Sequence, residues 1–251
     1  MLDVVTTESP TRDETASEDV LDNLAWESLA GPHARFARTH GAARRYDPDV
    51  SVFAGIADLS AESWADLAHL LGPGGETAFS RPGAWAAPTG WEVLTSGEGV
   101  QMVDVGVDAV LDEEAVVLGA ADVPEVLALI ERTRPGPFRP RTIEMGTYLG
   151  IRREGRLVAM AGQRYHPPGW TEISAVCTDE AFRRQGLSTR LVKAVAYDIR
   201  SRGERPLLHA AGTNTDAIRL YGSLGFEVRT WTTFARLRAP RQPLTAPTGR
   251  P

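Results

Sequence analysis

The stretch Trp170–Val192 constrains this chain more than any other. Trp170–Thr178 is largely apolar and reads as a strand. A short polar turn follows, Arg183-Arg184-Gln185-Gly186-Leu187-Ser188, and a helical pattern begins at once. In that helix, Leu187, Leu191, Val195 and Ile199 recur four apart, and Gly203 ends it. A strand running into a helix through one glycine presents free backbone amides and the positive end of the helix dipole. That is a pocket for a phosphate anion. The turn matches neither G-x-x-x-x-G-K-[ST] nor G-x-G-x-x-G, so the ligand is not read as one of the usual nucleotides. Arg183 and Arg184 would add side-chain contacts; the alternative for each is solvated surface charge.

The same regularity extends on both sides. Val116–Gly119 reads as a short strand, and Ala121–Arg134 as an amphipathic helix with Val123, Val126, Leu127 and Ile130 on one side. Thr147–Arg153 and Arg156–Tyr165 read as a hairpin turning at Glu154-Gly155. Pro206–Ala211 is a further strand, Thr215–Leu224 a short helix and Phe226–Leu237 the last strand. This order predicts an α/β fold over residues 115–238, with a mixed sheet flanked by helices.

Residues 20–105 are less regular and are expected to form an accessory region. Helices are predicted over Val20–Ala30 and, with Ser60 as N-cap, up to Leu71. Short strands are expected near Glu76–Ser80, Trp91–Thr95 and Val100–Val103. His33, near Arg35, reads as a surface or packing residue. The acidic start, residues 1–19, and the proline-bearing tail, 239–251, are expected to be disordered.

Bulk properties narrow the function. A net charge of −6 argues against nucleic-acid binding. No apolar run approaches the roughly 20 residues of a membrane helix, and the first residues lack a signal-peptide pattern, so a cytoplasmic protein is expected. One cysteine and five histidines without H-x-x-x-H spacing give no metal site.

Three blocks together carry a resemblance, one of them the strand ending Ala175-Val176-Cys177-Thr178 directly before the turn. Arg183-x-x-Gly186-x-Ser188 resembles the pyrophosphate loop [Q/R]-x-x-G-x-[G/A] of the GNAT superfamily of acyl-coenzyme A-dependent N-acyltransferases. About 30 residues on, Asn214–Phe226 is similar to that family's N-x-x-A-x-x-L-Y-x-x-x-G-F signature. The match spans about residues 115–237. Ser188 departs from the usual Gly or Ala, but serine is small enough for close phosphate approach.

The resemblance implies an acetyl-coenzyme A-dependent N-acetyltransferase acting on a small-molecule or peptide amine by direct attack. The alternative is a non-catalytic acyl-coenzyme A sensor or scaffold. The implied cofactor contacts are Val176, Cys177 and Thr178 on a bulged, splayed strand, the turn Arg183, Arg184, Gln185, Gly186, Leu187, Ser188 and Thr189, and Asn214. An amide near Val176 would face the thioester oxygen and stabilise an oxyanion there. Tyr221 occupies the position of the family's general acid, which protonates the leaving thiolate; the alternative is a packing role. Glu172 is the leading candidate for the base, because strict alternation puts it on the same face as Val176. His166, His209 and Glu144 are weaker candidates, His209 reading more readily as a hydrogen-bonded core histidine. Cys177, a lone thiol in an apolar strand, is not expected to be a nucleophile. Trp85, Trp91, Trp170 and Trp231 would line an acceptor pocket or simply pack. Residues 20–105 are expected to be an accessory region or a degenerate copy of the same fold without the phosphate loop, which would shape the acceptor site or form a homodimer surface.

Overall fold

The structure is a computed structural model, and it describes residues 17–241. The disorder expected over 1–16 and from 242 onward lies outside the described residues. Ser17, by contrast, caps a 3-10 turn over Glu18–Asn23 that leads into α1, Leu24–Ala30. Three short strands follow, β1 (Ala37–His40), β2 (Ala43–Tyr46) and β3 (Ala54–Ile56). Helix α2 (Ala61–Leu71) starts where the Ser60 hydroxyl accepts from the Ser63 amide, and β4 spans Glu76–Pro82.

The rest alternates as its sequence pattern demands. The elements are β5 (Glu92–Asp104), β6 (Val116–Val117), α3 (Val123–Thr133), β7 (Tyr148–Arg153) and β8 (Arg156–Gln163). Then come β9 (Trp170–Thr178), α4 (Leu187–Ser201), β10 (Arg205–Ala211), α5 (Thr215–Ser223) and β11 (Phe226–Arg238). The β7–β8 turn uses Glu154 at φ 50° and Gly155 at φ 80°, the two positive values a tight hairpin needs.

Strands β1–β3 make a small antiparallel sheet, and the other eight form one mixed sheet in the order β4-β11-β5-β10-β9-β8-β7-β6. Only β9 and β10 run parallel within it. The sheet does not follow the division expected between 20–105 and 115–238, because β5 lies between β10 and β11. Strand β5 is also continuous where two short strands are predicted. Gly97 and Gly99 look like breaks in the sequence, but they admit close neighbours. A Cβ on Gly97 would lie 2.7 Å from the Phe234 ring, and one on Gly99 3.0 Å from the Ala210 carbonyl.

Helices cover both faces. On one, Leu187, Leu191, Val195 and Ile199 of α4 pack with Ile173 and Leu208 of the sheet. Each such side chain is stabilised by roughly 1.5–3 kcal/mol over its exposed state. On the other, Leu21, Leu24 and Tyr46 pack with Tyr165, Trp170 and Leu207, while α3 covers Met160 and Cys177. Adjacent residues thus part company: Ile173 faces α4, whereas Trp170 and Glu172 face the N-terminal elements.

Candidate active site

Strands β9 and β10 pair only from Arg205/Trp170 to Leu208/Ile173. Beyond that point β9 continues through Ser174–Thr178 while β10 pairs with β5 alone. The two strands therefore part, leaving an open edge of β9 that carries Val176, Cys177 and Thr178. A bulge accompanies the split. Gly162 pairs with Ser174 and Met160 with Cys177, so Ala161 opposes both Ala175 and Val176. Ala175 sits at φ 53°, a left-handed conformation costing an alanine on the order of 1–2 kcal/mol.

The open edge leads to the start of α4. Gly186 is the N-cap at φ 74°, and no side chain caps the helix. Its first amides are thus left for a ligand. A Cβ at Gly186 would meet nothing within 4 Å, so the space before the helix is clear. Arg183, Arg184 and Gln185 are exposed beside it, and Arg184 also has positive φ, at 62°. Leu187 anchors the turn by burying its side chain in the α4 core. Ser188 and Thr178 bond through their hydroxyls at 2.9 Å, tying the turn to the open strand, and Thr189 is half-buried in the first turn. These features fit a pyrophosphate at the helix and an extended arm along β9. On α5, Asn214 uses its side-chain oxygen to accept from the Ala217 amide, so it shapes the helix start.

Tyr221 is buried in the α4 core, its ring edge-on to Phe226 at 6.3 Å. Burial raises its phenol to about 12, so it stays protonated at neutral pH. A phenol is a weaker acid than a thiol, so full transfer to a thiolate is uphill. Tyr221 is suited to donating a hydrogen bond that strengthens as thiolate charge develops. Cys177 points to α3, and burial pushes its thiol up to about 11, which makes it a poor nucleophile.

Glu172 is not placed as the sequence suggests. The bulge inserts one residue and reverses the alternation, so Val176 packs on the α4 side while Glu172 faces the other. Its carboxylate is fully buried and bonded to Arg164 Nε (2.7 Å), Arg164 Nη2 (2.6 Å) and His209 Nδ1 (2.7 Å). Burial alone would raise this carboxyl, but Arg164 and the His209 hydrogen bond overcome it and bring it down to about 2. A carboxylate so held does not accept a proton at neutral pH; it anchors the Arg164 guanidinium and the His209 imidazole.

What it positions is His209, the first β10 residue past the last β9–β10 pair. Gln101 fixes the tautomer. Its Oε1 accepts from Arg229 at 2.9 Å, which leaves Nε2 to face His209 Nε2 at 3.4 Å. Nδ1–H therefore donates to Glu172, and the Nε2 lone pair faces the Gln101 amide across a long 3.4 Å contact. His209 lines a cavity of about 770 Å³ on the side of the sheet away from α4. Its walls include Phe53, Arg81, Phe234 and the Pro135–Pro137 loop. None of Trp85, Trp91, Trp170 and Trp231 lines it.

A splayed strand pair beside an uncapped helix start is a geometry that can be compared with known proteins. The FR47-like protein family model matches residues 148–235. A GNAT-family protein of known structure from Novosphingobium aromaticivorans is 40% identical, covering 86% of this chain and 97% of its own, with a TM-score of 0.80. The chain belongs to the GNAT family. A GCN5-related N-acetyltransferase from Kribbella flavida shares the fold at TM-score 0.58 and 19% identity, over 86% of this chain and 94% of its own. No curated protein matches the chain.

This GNAT protein thus gathers the open edge of β9, the turn 183–189 and Tyr221 along one side of the splay, and His209 with Glu172 on the other. The remaining candidates fall elsewhere. His166 is tied to Glu204, and Glu144 forms a surface pair with Arg141. His33 packs between Tyr46 and the Met145 carbonyl, with burial lowering it to about 4. Among the described residues no group of His, Cys, Asp and Glu could hold a metal, and no helix is long and apolar enough to cross a membrane. Arg164 and Gln101 escape sequence reasoning altogether. The only signal was two polar residues, Glu172 and His209, each inside an apolar strand.

Proposed function

We propose that this protein is an N-acetyltransferase that moves an acetyl group from acetyl-coenzyme A to an amine. The observation that carries the reading is the split between β9 and β10, which opens onto the uncapped start of α4 at one end and onto His209 at the other. Acetyl-coenzyme A supplies the activated acetyl thioester. The amides of residues 186–189, with Arg183 and Arg184, hold its diphosphate, and the open edge of β9 near Val176 and Thr178 pairs with its extended arm as an added strand would. The amine enters through the cavity on the opposite side of the sheet. His209 Nε2 takes its proton once the amine displaces the long Gln101 contact, with Glu172 holding the ring and stabilising the charge it gains. Tyr221 donates a hydrogen bond to the departing sulfur.

Two features favour this over a non-catalytic binding module: an imidazole with a fixed tautomer facing a cavity, and a protonated phenol on α5. The test is calorimetric binding of acetyl-coenzyme A, followed by thiol release with added amines. Binding with amine-dependent release is expected. Binding without release for any amine, in wild type and under saturating cofactor, favours the sensor; no binding ends both readings.

A further inference from the structure

The cavity beside His209 has an unbalanced charge. At about 770 Å³ it lies in the usual size range of small-molecule sites. Two of its arginines are already neutralised, Arg164 by Glu172 and Arg236 by Glu76. Its carboxylates are occupied as well, Glu76 also by Arg238 and Asp22 by Arg229. Three further arginines on the wall, Arg45, Arg81 and Arg139, have no carboxylate in salt-bridge range among the described residues. Arg81 donates from Nη2 to the Ile56 carbonyl at 2.7 Å, but its Nε is enclosed with no partner. Arg45 is half-buried, and burial together with the nearby Arg38 outweighs the more weakly acting Asp47 and holds it below the ordinary guanidinium range. Asp22, Asp58 and Glu27 act on Arg81 only from beyond ion-pair range; half-buried cations without a directly paired carboxylate are costly, and a bound anion relieves part of that cost.

The rest of the wall sets the character of that anion. Phe53, Phe79 and Phe234 line the same space, and Phe234 is 41% exposed although large and apolar. A doubly charged phosphate would lose more hydration against such a surface than a carboxylate, and the arginine fork matches a carboxylate in two parallel bonds. The inner end of the cavity holds the base.

We propose that the acceptor is an amine that carries its own carboxylate on an apolar body, an amino-acid-type molecule, with its amine at His209 and its carboxylate on the unpaired arginines of the wall. This rests on the acetyltransferase reading above. The chemistry balances: the amine nitrogen bonds to the acetyl carbon, the carbon–sulfur bond breaks, the amine proton leaves through His209 to solvent, and the thiolate, hydrogen-bonded by Tyr221, takes one proton from solvent to leave as the thiol.

The experiment compares matched acceptors with the full chain and acetyl-coenzyme A, reading thiol release. Phenylalanine is set against phenethylamine, and leucine against isopentylamine; phosphoethanolamine is the phosphate arm. The carboxylated member of each pair should have a kcat/KM at least about ten-fold higher, as expected for one hydrogen-bonded charge. R45Q, R81Q and the exposed-site variant R139Q should each be tested, and at least one should lower the acid-to-amine ratio about ten-fold. Equal or reversed preference, preference for phosphoethanolamine, or a ratio unchanged in all three variants would overturn the proposal. Acetyl-coenzyme A binding with no turnover of any carboxylated amine also overturns it. Turnover without acid preference removes this inference alone, whereas absence of acetyl-coenzyme A binding removes the acetyltransferase reading beneath it.

Discussion

Replacing Glu172 by Gln separates a base from a positioning carboxylate. The side chain keeps its shape but loses the charge that neutralises Arg164. Glu172 is fully buried and Arg164 only 20% exposed, so the guanidinium is left poorly compensated. Breaking a buried pair in this way costs about 3–5 kcal/mol. The carboxyl's own titration gives a similar figure. A drop from 4.5 to about 2 corresponds to about 3 kcal/mol of folding stability. Because the folded value is the lower one, that stability is fully present above pH 4.5 and is lost as pH falls toward 2. Urea unfolding at pH 7 should therefore show E172Q less stable by about 3 kcal/mol, with a Tm lower by ~10 °C. Near pH 3 the gap should narrow by about 2 kcal/mol, because the unfolded wild-type carboxyl takes up a proton there while the folded one is still mostly ionised. A gap below about 1 kcal/mol, or one that does not narrow in acid, would refute the ion-pair reasoning. A stable E172Q protein whose activity is lost and then recovered by raising the pH would restore Glu172 as the base.

Other perturbations address the remaining roles. Gly186→Asp puts a carboxylate into open space at the helix start and should abolish acetyl-coenzyme A binding by calorimetry, at a folding cost of about 1–2 kcal/mol from the positive φ. His209→Gln should lower kcat by about 10²-fold or more, with activity rising steeply with pH as the amine loses its proton unaided; an unchanged pH profile would remove His209 as the base. Tyr221→Phe should lower kcat well beyond any change in cofactor affinity, and equal turnover would reduce Tyr221 to packing. Cys177 should resist alkylation at neutral pH until the protein unfolds, since burial holds the thiol near 11; rapid labelling of the native protein would contradict that placement.

Much of the fold from residue 115 onward can be read from sequence, because its helices carry a clear apolar stripe and its turns carry glycine. The α4 stripe and the hairpin at Glu154-Gly155 are examples. The N-terminal part resists for physical reasons. Strands β1 and β2 are four residues each and rich in arginine, so no period of two can show. In β5, Gly97 and Gly99 serve close packing against Phe234 and the β10 backbone, which only the folded partner reveals. At the site, the turn and Tyr221 follow local pattern. The face expected for Glu172 is reversed because a single inserted residue at Ala175 breaks the alternation. The pairing of Glu172 with His209 depends on the parallel register of β9 and β10, which no local signal encodes.

The most direct measurement of the central claim is thiol release from acetyl-coenzyme A by the purified wild-type chain, with and without a panel of amines. Release that depends on the amine and yields an acetylated product is expected. Saturable binding of acetyl-coenzyme A with no amine-dependent release from any member of the panel would contradict it.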